Sequence, residues 1–446
     1  MLSETAEGLQ SKLFKLEEYC KTNKLTVNTD KTQCMIFNKT GRLLKNYKFK
    51  YNNTHLKCVR EYKYLGFLVT PSGEISTGLE DLRIRALKAL AKIKKALGAQ
   101  FRLNIPNTIH LFSYLVKPIL LYCSDFWGCM KQPKNNPIEK LHLSFCKQLL
   151  GVRKQTHTQG ILQELGTVPI LFDARKMAIK NWERIHLENA NTLLIASHKY
   201  AMKENLPWET TMRDTFSENG MFDLFQAKTD RTEDSRNTSA ANSLFKRLVD
   251  QFHQTSLEAI RTDSKLKILS LLKEQPGREK YLTEVTHPRH RGAMTKLRLS
   301  GHSLEIERGR YRFPRVLPED RHCSYCKEQL GLTTVEDEKH FLLNCPMYKE
   351  LRDEFLPTII LNNHLLNEDE KFTHIMSDTD LKKTAKFIFL SFEHRDITLD
   401  VMNTLHEMVG NVESNLACQN VGGTNLSSYT IKNVSNDGMK LTLLKV

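Results

Sequence analysis

Three cysteines and one histidine near the end of the chain have the spacing C-x2-C-x13-H-x4-C. They are Cys323, Cys326, His340 and Cys345. Cysteines two residues apart on a tight turn, with a His and a Cys from a short helix or turn, can complete a tetrahedral Zn²⁺ site. A sphere filled by four protein ligands has no position for water, so the spacing predicts a structural zinc centre. With 10 Cys and 16 His in the chain, four unrelated residues are the alternative. Three cysteines within one short window favour a common site.

Length and charge restrict the class of protein. A chain of 446 residues exceeds one ordinary core, which predicts two to four sub-domains. Its 66 Lys+Arg against 51 Asp+Glu give a net charge of +15. That excess favours RNA or DNA as the partner over an acidic small molecule. No feature of the sequence predicts an oligomeric state.

The first residues, the apolar stretches and the cysteines of the sequence indicate the cellular compartment of the protein. The opening MLSETAEGLQ is polar and acidic, unlike a secretory signal. The most apolar stretch, from Leu111 to Cys123, contains Lys117 and is shorter than the roughly 20 residues of a membrane span. It predicts a buried helix and no membrane association. The cysteines before the zinc motif show no disulfide spacing, which predicts a reducing compartment, the nucleus and/or the cytoplasm.

The first 75 residues predict a small β-rich unit. A helix is expected from Gly8 to Cys20 and a strand from Leu25 to Phe37. Two further strands are expected over Tyr51 to Lys57 and Cys58 to Val69, followed by a turn at Thr70 to Gly73.

From Gly78 to Leu97 the periodicity changes to that of a helix. Its apolar face comprises Leu79, Leu82, Ala86, Leu90, Ile93 and Leu97. The opposite side carries Arg85, Lys88, Lys92 and Lys95. This basic stripe is either the solvated face of a bundle helix or a surface for nucleic-acid phosphates. Four cations without an interspersed carboxylate favour the second interpretation.

The rest of the chain predicts mostly helix. Helices are expected over Asn107 to Cys123, Ile138 to Leu150, Phe172 to Ala196, Ser243 to Leu272 and Leu381 to Arg395. Trp127, Trp182 and Trp208 are interpreted as packing residues, with base stacking as the less favoured alternative. Polar residues from Thr229 to Asn242 predict a linker between two halves, and the Asn-, Gly- and Ser-rich residues after Cys418 predict a disordered tail.

Four segments of the chain share their order with a known family. They are EYCKTNKLTVNTDKTQCMIF (18–37), EYKYLGFLVTPSG (61–73), KPILLYCSDFWG (117–128), and TKLRLSGHSLEIERGRY (295–311) with the zinc motif after it. In this order they resemble the N-x-x-K-T strand, the Y-L-G primer-grip hairpin, a thumb segment and the C-terminal cysteine-histidine module of reverse transcriptases from non-LTR, LINE-type retrotransposons. The resemblance covers roughly residues 1–415.

The resemblance implies an α/β remnant followed by mostly helical structure. Its parts are a partial palm (1–75), a helical thumb and connector (76–228), a linker (229–242), a helical and basic segment (243–315), a CCHC zinc module (316–350), C-terminal helices (351–415) and a tail (416–446).

The catalytic residues of that family are not matched here. Such a polymerase uses two adjacent Asp and a third upstream Asp to hold two Mg²⁺. No Asp-Asp pair occurs in this sequence. In the family, the catalytic hairpin comes immediately before a segment like Met1 to Ala6. The expectation is therefore a truncated reverse transcriptase without polymerase activity, in which Mg²⁺ would act only in an intact parent enzyme.

The resemblance also implies roles in nucleic-acid binding. Lys31 would be a palm lysine near the incoming triphosphate, although an exposed strand lysine is the favoured alternative. Tyr64, Leu65 and Gly66 would form the primer-grip turn, although a plain hairpin turn is equally compatible with Gly66 alone. The basic stripe around residues 85–95 would lie along the template–primer duplex.

Basic and aromatic residues are also concentrated before the zinc motif. Arg298, His302, Arg308 and Arg310, with Tyr311 and Tyr325, predict either a surface for single-stranded RNA or an ordinary structural surface. The carboxylates of Glu336, Asp337 and Glu338 are expected to solvate a loop.

Three functional hypotheses remain from the sequence. The first is a catalytically inactive reverse-transcriptase fragment that binds RNA or DNA. The second is a clipped gene product of an active RNA-directed DNA polymerase. The third is a host-recruited adaptor that binds nucleic acid through its zinc module.

Overall fold

The computed structural model describes residues 1–44, 46–102, 104–186, 191–230 and 238–419. Within these ranges the chain is mostly helical, with short strands confined to the first 75 residues. The strands are β1 Gln33–Cys34, β2 Lys50–Tyr51, β3 Thr54–His55, β4 Lys57–Cys58, β5 Tyr62–Tyr64 and β6 Phe67–Val69.

The α-helices are α1 Ala6–Thr22, α2 Ser76–Leu97, α3 Ile105–Leu115, α4 Lys117–Leu120, α5 Ser124–Trp127, α6 Pro137–Leu150, α7 Thr158–Leu165, α8 Leu171–Ile185, α9 Thr192–Lys203, α10 Pro207–Glu218, α11 Phe222–Thr229, α12 Ala240–Thr262, α13 Lys267–Leu272, α14 Tyr281–Glu284, α15 Pro288–Arg298, α16 Glu305–Arg308, α17 Ser324–Leu330, α18 Lys349–Phe355, α19 Thr358–Leu361, α20 Glu368–Ser377 and α21 Leu381–Gln419. Shorter helical turns cover Gly98–Arg102, Pro318–Asp320, His340–Asn344 and Pro346–Tyr348.

The N-terminal strands form separate pairs, so the α/β character is weaker than the sequence predicts. β1 pairs with β4 in parallel, while β2–β3 and β5–β6 are antiparallel hairpins. Leu13, Tyr51 and Leu56 belong to a small core that joins α1 to this region. These pairs position one hairpin against α2, but they do not make up a continuous palm sheet among the described residues.

The expected strand from Leu25 to Phe37 is wrong over most of its length. Only Gln33–Cys34 pairs as a strand. Before it, the Asn28 side chain accepts a hydrogen bond from the Lys31 N–H at 3.0 Å, and the Asn28 carbonyl accepts one from the Thr32 N–H at 3.1 Å. These turn bonds replace ladder bonds, as Asn favours.

The expected strand from Tyr51 to Lys57 is also interrupted. Asn52 and Asn53 have φ values of 45° and 61°, which form the two-residue turn between β2 and β3. Asn tolerates this left-handed conformation better than most residues. The expected turn after Val69 is confirmed, because the Gly73 N–H donates to the Thr70 carbonyl at 3.0 Å.

Helix α2 confirms the predicted apolar face. Leu79, Leu82, Ala86 and Leu90 are buried, and the helix packs against β6, α4 and α6. Its C-terminal end is followed by Gly98 with φ 51°, a conformation that favours glycine. The burial of one face leaves the other face of α2 at the surface.

The expected buried helix from Asn107 to Cys123 is interrupted. Helix α3 ends at Leu115, and the short α4 begins at Lys117. Pro118 lacks an N–H and cannot continue the hydrogen-bond ladder of α3. Tyr114 and Leu115 are exposed, so this apolar stretch is only partly buried. Every helix in the described part of the chain is too short or too polar to cross a membrane.

Helices α8 and α12 form an extensive helix pair. Trp182 lies fully buried between aromatic neighbours, and Trp127 is fully buried in the larger core, as their interpretation as packing residues predicts. The expected helix from Phe172 to Ala196 is two helices, with Asn191 capping the second. Residues 231–237 of the expected linker lie outside the described residues, and the predicted domain boundaries stay predictions.

The largest core joins the middle and C-terminal parts of the chain. It includes Leu79 of α2, Leu162 of α7, Cys326 of α17 and Phe387 of α21. The expected helix from Ser243 to Leu272 is divided into α12 and α13, and the helix expected at Leu381 extends to Gln419. The expected disordered tail lies outside the described residues from position 420 onward.

Candidate metal centre and basic surfaces

The four residues of the C-x2-C-x13-H-x4-C motif come together in space. One ligand atom from each of Cys323, Cys326, His340 and Cys345 lies within 4.8 Å of the others, and all four residues are buried. The Cys345 Sγ is 3.9 Å from both Cys323 Sγ and Cys326 Sγ, and Cys326 Sγ is 3.4 Å from His340 Nε2. A tetrahedral zinc site has S–S edges of about 3.8 Å and S–N edges of about 3.6 Å. The residues fit a metal ion of that geometry.

Local structure places each ligand. Cys323 is the N-terminal cap residue of α17, and Cys326 lies in the first turn of that helix. The two cysteines therefore lie at the start of a helix, whereas the sequence predicts a tight turn. His340 begins a single π-helical turn that ends at Cys345, and the Cys345 N–H donates to the His340 carbonyl at 2.7 Å. The Cys323 N–H donates to the Thr334 carbonyl at 2.8 Å. These backbone bonds hold the two ligand pairs opposite each other.

Burial and mutual contacts shift the pKa values of the three thiols. The hydrogen bond from Cys345 lowers the pKa of Cys323 to about 4. Burial and the charge of Cys323 raise the pKa of Cys326 to about 11, and the hydrogen bond to Cys323 together with burial raises the pKa of Cys345. A divalent metal bound among them would stabilise all three as thiolates.

Acidic residues beside the centre are structural rather than solvating, which corrects the expectation for residues 336–338. The buried Glu336 carboxylate accepts hydrogen bonds from Arg395 Nε and Nη2, both at 2.7 Å. It also accepts one from the Glu305 N–H at 2.7 Å. Asp337 Oδ1 accepts from the His340 N–H at 2.7 Å. These bonds connect the ligand-bearing segment to α21 and α16.

His302 is likewise part of the interior and not of an RNA surface. Its Nε2 lies 2.9 Å from Glu338 Oε1, and both side chains are buried. Burial raises the pKa of the Glu338 carboxyl, but the hydrogen bond and charge of His302, a backbone hydrogen bond and the charge of Arg310 together lower it below its ordinary value. The pair therefore fixes the segment before α16 to the residues preceding His340.

Arg298 does not lie on the predicted nucleic-acid surface. Its side chain is 1% exposed, with Nε 2.9 Å from Glu164 Oε1 and Nη2 2.6 Å from Glu279 Oε2. The guanidinium also lies over the ring of buried Tyr281. This network joins α7, α14 and α15, so Arg298 has a structural position.

Arg310 and Arg308 differ in exposure. Arg310 Nε lies 2.7 Å from Glu307 Oε1, and both side chains are mostly buried. The Arg308 side chain is half exposed and lies 3.8 Å from Glu305. Of the arginines predicted for this surface, Arg308 is the one accessible to a ligand.

The basic stripe of α2 is largely accessible. Lys88, Lys92 and Lys95 are exposed. Arg85 is held by Asp81 at 2.8 Å and donates to the Gly66 carbonyl at 2.8 Å. The sequence analysis found no interspersed carboxylate in the stripe, but Asp81 lies one turn before Arg85 and pairs with it. Three free lysines therefore remain.

The structure connects the β5–β6 hairpin to α2 and to Tyr122, which lies between α4 and α5. Leu65 and Gly66 have φ values of 45° and 87° and form its two-residue turn. Tyr122 Oη donates to the Leu65 carbonyl, and a Cβ on Gly66 would lie 3.1 Å from that Tyr122 oxygen. Tyr64 is exposed beside the turn, and Lys31 is exposed at a separate turn.

A basic cleft brings together cations that are distant in the sequence. Arg102, Arg153, Arg289 and Lys296 line a cleft of about 400 Å³ between α15, the turn after α6 and α21. Its far wall carries Glu393 and Asp396. The dense run HPRHR at 287–291 is the sequence signal for part of it. Arg102 and Arg153 come from distant positions and give no local signal.

The comparisons with known proteins agree with the resemblance over part of the chain. The chain is 23% identical over 182 residues to the RNA-directed DNA polymerase from mobile element jockey of Drosophila funebris. The aligned stretch covers 41% of this chain and 20% of that polymerase. The chain matches no protein-family model and no solved structure. The jockey likeness supports an origin related to reverse transcriptases.

Proposed function

We propose that this chain is a relative of non-LTR retrotransposon reverse transcriptases that binds RNA or DNA. The observation that carries the proposal is the 182-residue likeness to the jockey polymerase. The net charge of +15 supports a polyanionic partner. The proposed compartment is the nucleus and/or the cytoplasm, because the cysteines before the zinc motif show no disulfide spacing.

The second part of the proposal is a structural zinc ion. Cys323, Cys326, His340 and Cys345 supply four ligands and leave no position for a substrate or an activated water. The zinc ion would hold α17 against the His340–Asn344 turn. Its contribution to folding would be on the order of 10 kcal/mol, because binding at such a site occurs only in the folded segment.

The third part is the absence of polymerase activity in these 446 residues. Nucleotide transfer in such polymerases requires Mg²⁺ ions that are held by a pair of carboxylates on one hairpin. The sequence has no Asp-Asp pair. Lys31 without those carboxylates would have no catalytic partner.

The nucleic acid would contact exposed cations. The three lysines on α2, Lys88, Lys92 and Lys95, would meet phosphates along one side. The β5–β6 turn at Gly66 and the cleft around Arg102 and Lys296 would extend this contact. Phosphate contacts of this type contribute to binding affinity but give little preference for a nucleotide sequence.

Two assays on the full chain test the proposal. Fluorescence anisotropy with a labelled oligonucleotide should show binding that weakens steeply with salt. Primer extension with Mg²⁺ or Mn²⁺ should stay at the level of a heat-killed control. Binding that does not respond to salt, or no binding, would contradict nucleic-acid recognition. Nucleotide incorporation would contradict the inactive assignment.

A further inference from the structure

An exposed aromatic loop lies directly before the metal centre, at residues 309–317 between α16 and the turn at Pro318. Phe313 is fully exposed and Tyr311 is 73% exposed. Large apolar side chains at full exposure are uncommon on a soluble protein unless they serve a contact. Arg308, Arg312 and Arg315 surround them, and all three are exposed.

The two ends of this loop are held together. The Val316 N–H donates to the Gly309 carbonyl at 3.2 Å. Buried Arg321 donates from Nε and Nη2 to the Val316 carbonyl at 3.1 and 2.9 Å, and from Nη1 to the Ile306 carbonyl at 2.6 Å. A Cβ on Gly309 would lie 2.7 Å from the Arg321 side chain, so glycine permits this close approach. The loop therefore projects its aromatic side chains from a fixed base.

The charged groups around the aromatic side chains are mainly cations. Arg312, the residue before Phe313 in the chain, has its Nη2 2.7 Å from Glu305 Oε2, and its side chain is about half exposed. Lys265 Nζ donates to Tyr311 Oη at 3.0 Å and also lies over the Tyr311 ring. A ligand that reaches Phe313 must therefore approach several positive charges.

We propose that residues 308–315 form a base-stacking site for single-stranded nucleic acid. This inference rests on the proposed function and names the element that contacts bases. Exposed aromatic rings accept unpaired bases on their faces, while neighbouring arginines contact the phosphates. In a duplex the base faces are already stacked and are not accessible to Phe313. An apolar protein partner would not need the surrounding arginines, so charge complementarity selects a nucleic-acid strand.

The segment that carries the metal ligands supports this loop through one residue, Glu336. Glu336 accepts the Glu305 N–H at 2.7 Å, and the Ile306 N–H donates to the Glu336 carbonyl at 3.1 Å. Glu336 lies four residues before the ligand His340. The base of the loop is therefore attached to the segment that carries the metal ligands.

The test compares variants of the full chain by anisotropy. Phe313→Ala and Tyr311→Ala remove the exposed rings, and Tyr114→Ala removes a tyrosine of matched exposure, 75%, on α3. The probes are a 20-nucleotide single-stranded RNA, DNA of the same sequence, its duplex, and an abasic strand that keeps the phosphates. Comparing the affinities for RNA and DNA of the same sequence shows whether the sugar contributes to binding.

We expect Phe313→Ala to weaken binding to both base-containing single strands on the order of tenfold, with a smaller loss for Tyr311→Ala. Binding to the abasic strand and to the duplex should be unchanged, and Tyr114→Ala should bind like the unaltered chain. Equal binding by Phe313→Ala, or an equal loss on the abasic strand, overturns the stacking site while nucleic-acid binding stands. Failure of the unaltered chain to bind any probe overturns the proposed function as well.

Discussion

Glu336 and Arg395 form a buried ion pair with two hydrogen bonds, each with an N–O distance of 2.7 Å. They are 59 residues apart in the sequence. Glu336 stands just before the metal ligand His340, and Arg395 lies on α21. The pair connects the ligand-bearing segment to the longest helix of the described chain.

Arg395→Ala should destabilise the protein by about 3–5 kcal/mol, because it leaves the Glu336 carboxylate buried without its partner. Urea denaturation followed by circular dichroism measures this change in the free energy of unfolding. The neighbouring Asp396→Ala, on an exposed side chain, should change stability by less than about 0.5 kcal/mol. Similar stability for both variants would show that the Glu336 pair contributes little.

Arg298→Ala should also destabilise the protein, again by about 3–5 kcal/mol. Its removal leaves Glu164, which is fully buried, without its guanidinium partner. Thermal melting is the measurement, with the half-exposed Arg308→Ala as the matched control. Unchanged melting combined with weaker nucleic-acid binding would instead support a surface role for Arg298.

The metal motif could be predicted from sequence because its ligands are close together along the chain. Cys323 to Cys345 form one continuous segment, so the local spacing determines the geometry. The position of Arg298 could not be predicted, because its partner Glu164 is 134 residues away. Glu336 was misinterpreted for the same reason. A carboxylate looks solvated in the sequence until a distant arginine is known to cover it.

Helices were predicted better than strands for a related reason. The apolar face of α2 repeats over many residues, which makes the period clear. The strands contain two or three residues each, too few to establish a period of two. The Asn52–Asn53 turn and Pro118 show that single residues decided where the expected elements were interrupted.

Replacing two lysines of the α2 stripe should reduce the salt dependence of nucleic-acid binding. Lys88→Gln with Lys92→Gln removes two phosphate contacts, which lowers the slope of log K against log salt by about 1.4–1.8. Anisotropy at several salt concentrations gives the slope. The matched control is Lys199→Gln with Lys203→Gln, an exposed pair with the same spacing on α9. An equal change in both double variants would contradict a specific role for α2.

Metal removal should loosen the segment from Cys323 to Cys345 and the aromatic loop attached to it. Hydrogen exchange with and without a chelator should show faster exchange at residues 305–345, while α8 and α12 keep their protection. The reason is that Cys323 and Cys326 would no longer share a bound metal ion with His340 and Cys345. If the hydrogen-exchange protection of residues 305–345 stays the same after chelation, packing alone stabilises this segment.

The most direct measurement is the zinc content of the full chain by native mass spectrometry. We expect one zinc ion per chain, retained in Cys58→Ser, whose thiol lies outside the cluster. Cys323→Ser and His340→Ala should each lose it. A chain that is folded but carries no zinc, or that keeps the ion in both ligand variants, would contradict the metal centre on which the account is built.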